Sequence, residues 1–347
     1  MSFAMLFTML LCFALTVSVA VSIGLSAIVG IQVADAHMLI SVKEMFNSIN
    51  KFPLAAIPFF ILAGNLMETG GISRRLVEFA KSVVGGIQGG LPMTCVLTCM
   101  IFAAVSGSSV ATTFAVGSIL IPALIKHGYP KPWATALQAT SAELGVVIPP
   151  SIPMILFGVS AEVSIGELFV AGVGPGLLIA GALMLFVWLF AKFKGWGKND
   201  GDDRLGFGKA TWQAGWALIM PVIVLGGIYG GIFTPTEAAA VAVFYAFTVG
   251  TLIYREIGIK DLYKILRKSV ISSAVIMFII ANAGLFAFMI TPPFGVNLFA
   301  ACTVAKISLE HVVKDLIPFI GVILACLMLI SYVPEISLTL RDWVYNK

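Results

Sequence analysis

At 347 residues the chain has the length of two or three soluble domains, yet 59% of it is hydrophobic, only 11% is charged and the mean hydropathy is +1.03. A water-facing surface carries about a quarter charged residues, so lipid is the solvent, and cytosolic enzymes, nucleic-acid binders and secreted disulfide scaffolds are excluded. The net charge of +4 is small, and its distribution among loops is more informative than its sum.

In chain order, apolar stretches near the ~20 residues needed to cross a bilayer predict helices at 3–33, 53–68, 134–158, 169–191, 214–231, 236–254, 269–290 and 316–333. The first is longer than a signal-peptide core and lacks a basic flank, so it reads as a single membrane helix. Two further pieces, 91–105 and 109–125, are too short or interrupted to cross comfortably, and they flank Ser106-Gly107-Ser108-Ser109. A small polar turn inside continuous apolar sequence predicts a re-entrant hairpin, its tip at a depth where irregular backbone survives only beside protein or water. Lysine and arginine agree with this. They crowd loops 69–90, 126–132, 192–212 and 255–268 and are absent from 159–168 and 232–235. The rich loops share the cytoplasmic side only if 91–125 enters and leaves on one side. Segment 72–86, basic and amphipathic, is predicted to lie on that cytoplasmic interface.

Pro149-Pro150 interrupts the span 134–158. Two adjacent prolines remove two backbone donors and disfavour helix in the residue before them, which predicts a helix broken near the midplane. Freed carbonyls and half-helix ends at such a break can hold a cation or an anionic group. The feature recurs 143 residues later: Pro149 and Pro150 align with Pro292 and Pro293, and without gaps Ser160 meets Thr303, Glu167 meets Glu310 and Pro175 meets Pro318. A second internal match pairs Phe60-Ile61-Leu62-Ala63 with Phe278-Ile279-Ile280-Ala281. Ala63 and Pro149 are 86 residues apart, however, and Ala281 and Pro292 only 11. About 75 residues, room for a second hairpin and half a broken helix, are therefore missing from the second half.

Other polar residues have plainer readings. Cys12, Cys95, Cys99, Cys302 and Cys326 sit in apolar stretches without metal-site spacing and read as small hydrophobes. Asn65 and Glu68 close the second span, where a carboxylate is a candidate for function or for a solvated, capping role. Thr234-Pro235-Thr236-Glu237 has the pattern of a capping box. Glu143, deeper, needs a partner. Trp196, Trp212 and Trp216 flank the central loop as interface anchors. Ser108 or Ser109 with His127 contains the raw material of a serine protease, but no third orienting group is evident. His37 and His311 fall in loops. No GxxxxGK[ST] segment is present, which argues against ATP as the driving force.

Five segments give the chain a family resemblance: FPLAAIPFFILAGNLMETGGIS (52–73), AAVSGSSVATTFAVG (103–117), ATSAELGVVIPPSIPMI (139–155), GIFTPTEAAAVAVFYA (231–246) and ITPPFGVNLFAACTVAKIS (290–308). It resembles the large membrane subunit of tripartite ATP-independent periplasmic (TRAP) transporters over nearly its whole length. The resemblance implies an all-α polytopic protein of the prokaryotic cytoplasmic membrane, with ion-transporter-like inverted repeats, each a re-entrant hairpin and a broken helix. It implies Na+-coupled uptake of an organic anion such as a C4-dicarboxylate or sialic acid. The partners implied are a small four-helix membrane subunit, separate or fused, and a periplasmic substrate-binding protein; no cofactor is implied beyond the coupling ion.

Carried onto this chain, the first ion and substrate site comprises Ser106, Gly107, Ser108, Ser109 and Thr112, with Thr113 beside them, facing Glu143, Gly145, Val147, Pro149, Pro150 and Ser151. The second comprises Thr291, Pro292, Pro293, Gly295 and Asn297, without its partner hairpin. Neutral hydroxyls and carbonyls are hard donors that suit Na+. The expected organisation is N-terminal scaffold helices (1–68), a cytoplasmic arm (69–90) and a first transport half (91–168), with hairpin 91–125 and broken helix 134–158. Central scaffold helices (169–268) with a polar loop at 192–212 follow, then an incomplete second half (269–347) with its break near 291–297.

Overall fold

The computed structural model describes residues 2–33, 38–197, 204–286, 309–333 and 335. It is an all-α polytopic membrane protein, with no strand among the described residues. Six described helices are long and apolar enough to cross a membrane, and a broken pair makes a seventh span. Thr291, Pro292, Pro293, Gly295 and Asn297, with His37 and Cys302, lie outside the described residues, as does the predicted second break.

The first element departs from expectation. The run 3–33 forms two helices, α1 (Ser2–Ala14) and α2 (Val19–Val33). Thr16 takes a positive φ of 57° between them and turns the chain back on itself. The fold-back is antiparallel, since a Cβ on Gly30 would meet the Met5 thioether. An amphipathic α3 (Leu39–Ile49) follows, and α2 and α3 both pack on a later helix, α14 (Ile259–Phe286).

Helix α4 (Ala56–Thr69), entered through a 3-10 turn at Phe52–Ala55, crosses antiparallel to α14. Two polar contacts fix their register: buried Asn65 donates to Ser269 Oγ at 2.9 Å, and Lys268 Nζ meets Glu68 at 2.7 Å. Glu68 thus has a lysine partner across the helix pair. Because α14 starts at Ile259, most of the basic loop 255–268 is helix, and the expected boundary at 268 falls inside one element.

Helix α5 (Ile72–Val84) is the predicted amphipathic arm. The Arg75 guanidinium lies 3.8 Å above the Tyr254 ring, meets Glu256 at 2.7 Å and donates to the Gly71 carbonyl. Burial raises the Tyr254 phenol above its usual range, and the Arg75 charge pulls the other way. One arginine therefore fastens the start of the arm to the end of α13 (Pro235–Thr248), which finishes in a π-turn at Val249–Ile253. At the opposite end of α13 the capping box is formed: Glu237 N–H donates to Thr234 Oγ1, and Thr234 N–H donates to the Glu237 carboxylate.

Helices α6 (Gly90–Ser106) and α7 (Ser109–Lys126) form the hairpin. Its antiparallel geometry follows from one buried side chain. Gln138 touches Cys95 and Cys99 on α6 and also Thr112 and Gly117 on α7, so residues nearly equidistant from Gly107 along the two arms lie side by side. Its two ends, by Gly90 and by Lys126, therefore share one side, as the charge count required. The broken span follows as α8 (Lys131–Ala142), a short turn α9 (Leu144–Val147) and α10 (Ile152–Ala161), bent by 41°. Then come α11 (Ile165–Lys194), α12 (Phe207–Tyr229) and, after α14, α15 (Leu309–Tyr332). Helix α12 begins inside the stretch read as polar loop.

At the basic end Tyr129, Trp133, Phe186, Phe190, Trp196 and Phe319 stack with ring centroids 5.3–5.9 Å apart. This cluster joins the hairpin base to α8, α11 and α15. Trp196, partly buried just beyond the left-handed Gly195 that ends α11, packs edge-on against Tyr129 and Trp133. Trp212, 87% exposed, faces outward as expected. Trp196→Ala should cost about 2–4 kcal/mol of unfolding free energy and Trp212→Ala no more than about 0.5 kcal/mol, read by thermal unfolding in nanodiscs; equal losses would refute the inward packing.

Candidate functional site where the hairpin tip meets the broken helix

The hairpin ends on Gly107, with φ +61°, the left-handed turn that closes α6. A side chain there is doubly disfavoured, because a Cβ would also stand 2.6 Å from the Pro150 carbonyl oxygen. On the other face of the contact, a Cβ on Gly145 would stand 2.9 Å from the Ser109 nitrogen. Tip and break thus meet backbone to backbone. Ile152 N–H donates to the Gly107 carbonyl at 3.0 Å, closing the contact with a main-chain hydrogen bond.

The depth of this contact follows from helix length. Ten residues of α10 separate the break from the Glu162 end, about 15 Å at 1.5 Å per residue. The tip therefore lies inside the membrane. At 18 residues α7 is as long as a short span, so length alone would not have called the hairpin re-entrant; its contact with the break decides it.

Around the tip most hydroxyls are turned onto backbone. Ser106 Oγ lies 3.3 Å from Thr112 Oγ1, which donates to the Ser108 carbonyl at 2.8 Å; Thr113 Oγ1 donates to the Ser109 carbonyl at 2.9 Å. Ser108 caps α7 by accepting from Ala111 N–H. Ser151 caps α10 by accepting from Met154 N–H, while its own hydroxyl donates to the Val146 carbonyl. The Pro149–Pro150 peptide is cis. Ser106, Thr112, Thr113 and Ser151 are fully buried, and Glu143 is 7% exposed at the joint between α8 and α9. The Val147 carbonyl lies against Gly172 of α11, and Ile148 against Gly176 one turn later. All the first-half residues singled out in the sequence thus fall on the tip or on the break facing it.

The donor set is hydroxyls and main-chain carbonyls. A carbonyl that accepts one hydrogen bond keeps a second lone pair, so those of Gly107 and Val146 retain acceptor capacity for a hard cation, whereas the Ser108 carbonyl already accepts from both the N–H and the hydroxyl of Thr112. Two fully buried hydroxyls just before the break, Thr140 Oγ1 and Ser141 Oγ, find no hydrogen-bond partner among the described residues. Each such orphan costs about 1–3 kcal/mol if nothing satisfies it. His127, which caps the far end of α7, is a whole helix length, about 27 Å, from Ser109. That distance separates the two components of the protease reading.

Three features of this region had no counterpart in the sequence reading. Gln138 sits between the hairpin arms. The hydroxyls of Thr140 and Ser141 are buried without a hydrogen-bond partner among the described residues. Gly64 on α4 touches the tip, where a Cβ would stand 3.3 Å from that of Ser106. A buried amide in the middle of an apolar span was the one available signal for the first.

The sequence model of the DctM component of tripartite ATP-independent periplasmic transporters matches residues 6–291 and 288–336. The chain belongs to this DctM family. It is 36% identical to the isethionate TRAP transporter permease protein DctMQ of Oleidesulfovibrio alaskensis, an alignment covering 93% of this chain and 63% of that protein. The chain thus spans less than two thirds of the isethionate permease. It is 34% identical to the C4-dicarboxylate TRAP transporter large permease protein DctM of Pseudomonas aeruginosa, covering 93% of this chain and 94% of the relative. With the protein of the same name from Rhodobacter capsulatus it shares 32% identity over 99% of both chains. That last alignment runs over 436 positions, which 347 residues cannot fill, so part of that DctM protein faces no residue here. The family match is likewise in two pieces that meet at 288–291. The tip and broken helix of this DctM chain lie wholly within the first piece.

Gly107→Ala should lower the unfolding free energy by about 2 kcal/mol or more, from the left-handed turn and the carbonyl overlap together. Equilibrium unfolding in bicelles measures it; a wild-type midpoint would remove the close tip–break contact.

Proposed function

We propose that this chain is the permease of a TRAP transporter that moves an organic anion, a carboxylate, into the cell together with Na+. Ser106–Ser109, Thr112 and the 145–151 break form its first ion and substrate site. The observation that carries the reading is the direct backbone contact of Gly107 and Gly145 with their opposite elements, which concentrates hard oxygen donors inside the membrane. The names of the similar permeases, which include C4-dicarboxylate transporters, support the substrate class. On this reading transport is binding and conformational change: the hairpin half moves as a body against the scaffold of α4, α13 and α14, in the cytoplasmic membrane. A small membrane subunit and a periplasmic binding protein complete the assembly.

A second reading has its own support. The two-piece family match and the alignment longer than the chain favour an internal shortening in the second half, at about the 75 residues counted from the repeat. On that reading the chain assembles with the small subunit without transporting.

Proteoliposomes containing the chain, a small subunit and a liganded binding protein separate the two. Na+-gradient-dependent uptake of a labelled C4-dicarboxylate by the chain itself supports the first reading, and uptake only after the ~75 residues are restored supports the second. Absence of Na+-dependent uptake in both would overturn the transport reading. Where uptake is found, Ser106→Ala should raise the Na+ concentration for half-maximal rate several-fold, about 1 kcal/mol per lost ligand.

A further inference from the structure

Gln138 is fully buried on α8, and its amide reaches both arms of the hairpin. The Oε1 atom accepts from the Cys95 thiol at 3.0 Å; Nε2 faces the Cys99 sulfur and the Thr112 carbonyl, each at 3.5 Å. Its stem runs against the other arm, where a Cβ on Gly117 would stand 3.0 Å from Gln138 Cγ and 3.4 Å from Cδ. One side chain from the broken helix therefore passes between α6 and α7 and bonds to both.

The position of this contact matters more than its strength. Gln138 precedes the break, and Thr112, whose carbonyl it faces, is the residue whose hydroxyl donates to Ser108 O beside Ser106 Oγ at the tip. A shift of the Thr112 backbone moves Ser108 and Ser106 with it. Burying an amide in an apolar hairpin is costly unless its donors and acceptor are used, and here both ends are. Leucine or methionine would fill the space more cheaply. Gly117 is the matching half of the arrangement, since a larger residue would push the stem away.

We infer that Gln138 is a positioning residue. It wedges the hairpin arms at a fixed separation and ties them to the broken helix, so that tip and break keep their register, with Gly117 as its size complement. The ion arm of the test rests on the tip being a Na+ site; the wedge itself does not.

The full chain in nanodiscs, as wild type, Gln138→Leu, Gln138→Asn, Gly117→Ala and the Gly117→Ala/Gln138→Asn pair, provides the test. Hydrogen–deuterium exchange is followed in the tip (103–113) and in the scaffold helix 207–229, and thermal stability is titrated with Na+ against choline. Gln138→Leu should speed exchange in the tip with the scaffold unchanged and raise the Na+ concentration for half-maximal stabilisation about fivefold. The paired variant, which moves a methylene from one partner to the other, should recover tip exchange relative to Gly117→Ala. Unchanged tip exchange in Gln138→Leu, or equal acceleration in tip and scaffold, would overturn the positioning role. If wild type shows no Na+-specific stabilisation while tip exchange behaves as stated, the wedge stands and the Na+ reading of the tip falls. If Gln138→Leu does not fold, the comparison of Gly117→Ala with the paired variant decides: no recovery would overturn the wedge.

Discussion

A backbone that leaves helical geometry inside a membrane must have its polar groups satisfied by protein or by water, and this chain does so twice at one place. The hairpin turn at Gly107 and the break at Pro149-Pro150 are each untenable alone at that depth. Together they satisfy each other, Ile152 N–H donating to the Gly107 carbonyl and Gly145 lying against the Ser109 backbone. Everything nearby follows from keeping those two interruptions in register: glycines at the crossings, serines at Ser108 and Ser151 capping the helices that restart, and Gln138 spacing the arms. What structural necessity brings together is also a collection of hard oxygen donors, and for that reason the same residues carry the functional reading.

Much of this was legible because interruptions are conspicuous in apolar sequence. A Ser-Gly-Ser-Ser turn and a double proline stand out against 59% hydrophobic residues, and the lysine and arginine distribution fixed which loops share a side. The capping box at Thr234 was readable for a similar reason, since its spacing is local. Contacts between distant segments were not legible. Gln138 is one polar residue in a long apolar span, and its role appears only when Cys95 and Gly117 are known to lie side by side. Trp196 flanks a polar loop, as an interface anchor does, and its place in an aromatic cluster that includes Phe319, more than a hundred residues away, is not visible in the sequence. The start of α14 at Ile259 was hidden because its first turns carry the charges expected of a loop.

The scaffold and the hairpin meet with unequal attachments. At the basic end six aromatic rings join the hairpin base to α8, α11 and α15, and each such ring pair adds about 0.5–1.5 kcal/mol beyond its buried area. At the tip the contact with α4 is Gly64 against Ser106, with no hydrogen bond between them among the described residues. The polar fastening of α4 is directed elsewhere, through Asn65 and Glu68 to α14. The hairpin is thus firmly bonded to the broken helix and to its own base, and lightly to α4.

The reversal at Thr16 has a consequence for anyone mapping this protein in a membrane. Hydropathy alone treats 3–33 as one crossing and assigns its two ends to opposite compartments. With α1 and α2 folded against each other, the residues at Ser2 and at Val33 emerge on the same side. A fluorescent or enzymatic reporter fused ahead of α1 would therefore read the same compartment as one placed at the end of α2, where counting 3–33 as one crossing would put the two on opposite sides.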